Sequence, residues 1–127
     1  MKVPSVATAS MFAGIVIGSV AVQSLHAQTK APIYLVGEIE ISDPEAYRAE
    51  YLPRAQALIK QHSGRAVAGG APTPMVGEPP KSRAAIYAWD SMDQLMGWFN
   101  SPEYQETRKA AEKYAKFRNF SVPGVAQ

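Results

Sequence analysis

Arg83-Ala84-Ala85-Ile86-Tyr87-Ala88-Trp89 reads as a β-strand, yet it does not alternate between apolar and polar residues. One face carries Ala84, Ile86 and Ala88, and the other carries Ala85, Tyr87 and Trp89. A strand wet on one side would present one polar face, so both faces here need cover. Helices of the same chain can supply one cover. The other calls for a second sheet, and the Tyr87 and Trp89 face is the one expected to meet it.

Upstream, Ile33–Ile41 alternates, with Ile33, Leu35, Ile39 and Ile41 on one face and Tyr34, Val36, Glu38 and Glu40 on the other. Ser42-Asp43-Pro44-Glu45 then starts a helix. Asp43 can accept bonds from the free amides of the first turn, and Pro44 lacks an N–H where none is needed. Tyr47, Tyr51, Ala55, Leu58, Ile59 and His62 follow at spacings of three and four and mark its buried side. Pro53 lies within this pattern and removes the bond to the carbonyl of Ala49, which predicts a kink. Ser63-Gly64 supplies the left-handed stop.

A short strand over 65–68 and a Pro- and Gly-rich loop over 69–82 lead into the 83–89 strand. Downstream, Asp90 or Ser91 caps a helix whose apolar stripe is Met92, Leu95, Met96 and Phe99. Asn100-Ser101-Pro102 interrupts it, a second helical piece runs to about Lys113, and 117–122 can form a last strand. The order is β-α-β followed by β-α-β with a broken helix. It predicts an α+β, ferredoxin-like βαββαβ fold with an antiparallel sheet and helices on one face. The partner sheet then comes most simply from an identical chain about a two-fold axis, which predicts a homodimer.

The first residues stand apart. Lys2 precedes an apolar run from Met11 to Val22, too short to span a bilayer, and Leu25-His26-Ala27 offers a small residue before Gln28. Residues 1–27 are therefore expected to be a signal peptide, with a retained N-terminal anchor as the alternative, and 28–127 a single periplasmic or secreted domain. No cysteine is present, so the exported domain has no disulfide to hold it. Beyond the leader, twelve Lys and Arg face eleven Asp and Glu with no basic run, which argues against nucleic acid or a membrane surface as a partner.

Asp43-Pro44-Glu45-Ala46-Tyr47, His62-Ser63-Gly64-Arg65, Glu78-Pro79-Pro80-Lys81-Ser82-Arg83, Ser101-Pro102-Glu103-Tyr104 and Lys113-Tyr114-Ala115-Lys116-Phe117-Arg118 occur in that order. This ordered set resembles a bacterial domain-of-unknown-function family of the dimeric α+β barrel superfamily, over essentially all of the chain after the leader. The resemblance implies a homodimer with two sheets face to face, and it implies no activity. Cofactor-free monooxygenases, isomerases, haem enzymes and ligand-binding proteins share the superfamily's fold. The chain departs from the family pattern at Ala66, where an aromatic is frequent, at Ala68, where arginine is frequent, and at Val76, which replaces an acid.

His62 is the one histidine beyond the leader, so a histidine-rich metal centre is excluded. It falls at a helix end, where it can be a partly buried terminal residue or a general acid/base. Arg65 can bind a carboxylate in a fork or pair with an acid such as Glu38 at the sheet edge. Glu38 and Glu40 share one strand face and can line a pocket or point to solvent. Tyr47, Tyr51, Tyr87, Trp89, Trp98 and Tyr104 can pack a core or line an apolar pocket with hydroxyl handles. Ser101–Lys109, the stretch densest in polar chemistry, is a capped helix start in which only Tyr104 and Arg108 remain candidate ligand contacts.

The candidates are thus His62 and Arg65 for catalysis, and Glu38, Tyr51, Trp98, Tyr104 and Arg108 for ligand binding, with no metal and no cofactor. The function they fit is a homodimeric small-molecule-binding protein, with a cofactor-independent isomerase or oxygenase activity as its catalytic form. A non-catalytic structural or interaction module of the cell envelope is the alternative.

Overall fold

The computed structural model describes residues 30–127, and the leader expected over 1–27 lies outside the described residues. Strands β1 (Ile33–Ile41), β2 (Arg65–Gly70), β3 (Arg83–Trp89) and β4 (Ala115–Pro123) make one antiparallel sheet in the order β2-β3-β1-β4. Helix α1 covers 44–61, α2 Met92–Phe99 and α3 Pro102–Ala111. This is the ferredoxin-like α+β fold that the element order requires. β2 runs two residues further than the sequence suggests. β4 begins two residues earlier, because its whole length finds partners along β1 from Ala115↔Ile41 to Pro123↔Ile33.

Each helix starts where a side chain can occupy the orphan amides. Asp43 accepts from the Ala46 N–H at 3.2 Å, Ser91 from Gln94 at 3.2 Å and Ser101 from Tyr104 at 3.2 Å. Of the two caps open for α2, Ser91 is the one used. Within α1 the helix runs on through Pro53, and a π-helical turn over Tyr47–Tyr51 precedes it, where the Leu52 N–H reaches back to the Tyr47 carbonyl. Proline cannot donate to Ala49, and the chain absorbs the missing bond by widening the turn before it.

The C-terminus of α1 is a Schellman motif in which the Ser63 N–H bonds the Lys60 carbonyl (3.1 Å) and the Gly64 N–H bonds the Ile59 carbonyl (2.8 Å). Ser63, not Gly64, takes the left-handed backbone, with φ of 70°. Gly64 is required for another reason: a Cβ there would lie 2.5 Å from Trp89 Cε2.

The core lies between the helices and one sheet face. Leu35, Ile39 and Trp89 from the sheet meet Tyr47, Tyr51, Ala55 and Ile59 of α1, Leu95 and Trp98 of α2, and Tyr104 and Ala111 of α3. Two expectations change here. The Tyr87 and Trp89 face of β3 packs under the helices, with Trp89 fully buried and its ring 5.2 Å from that of Trp98. In α2 the buried residues are Leu95 and Trp98, while Met92 and Met96 are exposed.

The face left without helices carries Ala84, Ile86 and Ala88. In register with them, in that order, stand Glu38, Val36 and Tyr34 of β1, then Arg118, Phe120 and Val122 of β4. Its upper half is apolar, with Phe120 43% and Val122 44% exposed. Its lower half is a set of ion pairs, Arg118 to Glu38 at 2.9 Å and Lys81 to Glu40 at 3.5 Å.

Candidate ligand-binding site

The interior of the helix–sheet layer holds a group of tyrosines whose polar ends meet. Tyr51 and Tyr104, from α1 and α3, bring their hydroxyls to 2.8 Å in a buried hydrogen bond. Tyr47 stacks on Tyr51 with ring centres 5.2 Å apart, Phe117 packs on Tyr51 at 5.0 Å, and Trp98 lies 4.1 Å from Tyr104. The π-helical turn places Tyr47 and Tyr51 together on the inner side of α1. The Ser101 hydroxyl, which donates to the Trp98 carbonyl at 2.8 Å while accepting from Tyr104, seats Tyr104 at the start of α3.

Burial pushes all three of these phenols up. Tyr47 rises to about 12 although the Arg83 guanidinium beside it pulls the other way. Tyr51 is raised by burial first and by Tyr104 next. Tyr104 is raised by burial against the opposing Tyr51 hydrogen bond and Arg108 charge. They are neutral hydrogen-bond donors at physiological pH and cannot act there as bases.

Because the folded protein holds these protons more tightly than the unfolded chain, the associated stability is complete below pH 10 and is lost as pH rises toward about 12. With all three phenols raised, stability should fall as pH rises above 10. Urea midpoints at pH 9, 10 and 11 measure it, and equal midpoints would contradict the burial of the cluster.

Tyr87 packs against this core and also lines an open cavity of about 450 Å³ between α1 and the β2 edge. Gln56, Ile59 and Lys60 form one wall, Gly64, Arg65 and Ala66 the other, and Tyr87 part of the lining. Arg65 reaches this rim while pairing with Asp90 at 3.2 Å. A second cavity of about 250 Å³ lies toward the start of α1, beside Tyr47 and Arg83.

The sequence candidates therefore divide. Tyr51, Trp98 and Tyr104 come together in the interior. Arg108 stands over Gln105, to which it donates at 2.9 Å, with its Nε buried and unpartnered. His62 ends α1 half-buried, its carbonyl accepting from Trp89 Nε1 at 3.0 Å, and it lines neither cavity. Glu38 is on the opposite face of the sheet, held by two contacts from Arg118 Nη2 at 2.9 and 3.1 Å. Glu38, His62 and Arg65 thus do not form one polar set.

Arg83 and Asn119 were not among the sequence candidates, although alternation places them in phase with inward Tyr87 and Phe117. Asn119 lies over Gly37, where a Cβ would come 3.1 Å from its Oδ1.

The fold recurs in solved structures at low identity. A protein of unknown function from Rhodopseudomonas palustris matches with a TM-score of 0.60 and 16% identity, covering 86% of this chain and 94% of its own. SnoaB, a cofactor-independent oxygenase from Streptomyces nogalater, matches at 0.57 and 12%, over 76% and 96%. A NIPSNAP domain protein from Burkholderia xenovorans matches at 0.52 and 15%, over 76% and 94%. These are likenesses of fold alone. No curated protein matches it. Residues 32–125 match the model of a family described as a domain of unknown function, DUF1330, and the chain belongs to that family.

Proposed function

We propose that the protein is a periplasmic homodimer that binds a small, partly apolar organic molecule in the cavity beside Tyr87. The observation that carries this is an open cavity of about 450 Å³ partly lined by Tyr87, a residue that also packs against the core holding the buried, protonated tyrosines. Ile59 and Ala66 offer apolar wall, while Tyr87, Gln56, Lys60 and Arg65 offer donors to a ligand oxygen. Periplasmic placement rests on the leader-like residues 1–27.

The chemistry that suits this donor-rich rim is stabilisation of an oxyanion on a substrate that ionises readily, in a cofactor-independent isomerisation or oxygenation. The likeness in fold to SnoaB makes oxygenation the natural first assay. The dimer rests on the open sheet face, where Tyr34, Val36, Ile86, Phe120 and Val122 form an apolar strip that a second copy would bury.

Thermal shift with aromatic, lactone and fatty-acid sets tests the binding site. A ligand near 100 times its Kd should raise Tm by about 14 °C, and Tyr87→Phe should weaken it by about tenfold. No response in any set would contradict the site and favour a non-catalytic envelope module.

A further inference from the structure

We propose that the smaller cavity, under the first turns of α1, is a binding site for an organic monocarboxylate whose head is held by Arg83. Arg83 stands on the inward face of β3, in phase with Ala85, Tyr87 and Trp89, where the fold otherwise places apolar side chains. Among the described residues the ion pairs involve Arg65, Lys81, Arg108 and Arg118, and no carboxylate lies within 4.0 Å of the Arg83 guanidinium. Its Nε is buried and has no hydrogen-bond partner.

A guanidinium in this position is costly unless an anion compensates its lost hydration. Gly69 on β2 faces the guanidinium, and a Cβ there would come 2.9 Å from Nη2, the mobile end of the Arg83 side chain.

The lining around Arg83 says what the anion carries. The cavity of about 250 Å³ has Tyr47, Arg48 and Ser82 as its polar members and Ile41 and Leu52 as apolar wall. The Ser82 oxygen accepts from the Ile41 N–H at 2.9 Å and keeps its own proton to donate. The Arg83 guanidinium lies against the protonated Tyr47 phenol, with the exposed Arg48 at the mouth and a small hydrocarbon surface beside them. A planar two-oxygen head fits the guanidinium fork, and a compact apolar body fits Ile41 and Leu52. The site does not depend on the function of the larger cavity: Tyr87→Phe tests that one, and changes at Arg83 and Arg48 test this one.

Isothermal titration of the full chain with benzoate, benzamide and inorganic phosphate decides the matter. Benzoate should bind at least about tenfold more tightly than benzamide, whose shape is similar but which carries no charge, and more tightly than phosphate. Arg83→Gln should weaken benzoate by about tenfold or more, and Arg48→Gln by about threefold. Arg48 is exposed, so its variant carries the test should Arg83→Gln fail to fold. Equal binding of benzoate and benzamide, preference for phosphate, or indifference of benzoate to both arginine changes would overturn the proposal.

Discussion

Gly64→Ala is expected to destabilise the protein by about 3 kcal/mol, near the upper end of what overpacking costs in a core. The added Cβ would lie 2.5 and 2.6 Å from Trp89 Cε2 and Cζ2, and 2.7 Å from Ile59 Cγ2. Neither neighbour can yield easily. Trp89 is fully buried, its Nε1 bonds the His62 carbonyl at 3.0 Å, and Trp98 packs against it. Ile59 is also in the core, and the Gly64 N–H is tied to its carbonyl by the motif that ends α1. Relief therefore requires β2 to move off β3 or α1 off the sheet. In a domain of this size such a loss lowers Tm by roughly 15 °C. Thermal and urea unfolding measure it, and a loss below about 1 kcal/mol would show that the α1–β3 junction is looser than described.

Ile86→Arg should dissociate the proposed dimer while leaving each chain folded. Ile86 stands mid-sheet on the helix-free face, in one row with Ala68 of β2, Val36 of β1 and Phe120 of β4. About a two-fold axis the change enters the interface twice, and each copy buries a charge with no partner. Two such charges should weaken association by about 4 kcal/mol or more, a factor of about a thousand. Far-UV circular dichroism should stay unchanged, because the helix side of the sheet is untouched. Sedimentation equilibrium reads the mass, and a variant that remains dimeric would place the interface elsewhere.

The strand at 83–89 is apolar on both faces, and its period separated them correctly: Ala85, Tyr87 and Trp89 lie on the helix side, and Ala84, Ile86 and Ala88 on the face without helices. What alternation within one strand cannot say is which face looks toward the helices. The answer depends on Trp98 and the His62 carbonyl, groups from other elements that together receive Trp89. Pro53 signalled a missing hydrogen bond but not where the helix would accommodate it, because the π-helical turn depends on burying Tyr47 and Tyr51 together.

Tyr51 and Tyr104 each showed their inward direction through helical spacing. Their hydroxyl contact, across 53 residues of sequence, is set by how α1 and α3 come together. Glu38 is a different case, since the alternation of Leu35 and Ile39 already directs it away from the core. Arg83 was equally legible: a charged residue in phase with Tyr87 and Trp89 is the anomaly that marks the second cavity.

An electron-density map of the protein purified from its own source tests the account most directly. The expected result is two chains related by a two-fold axis with their helix-free sheet faces in contact, and organic density in the cavity beside Tyr87. Chains that leave the Ile86 and Phe120 face open to solvent, with ordered water alone beside Tyr87, would contradict it.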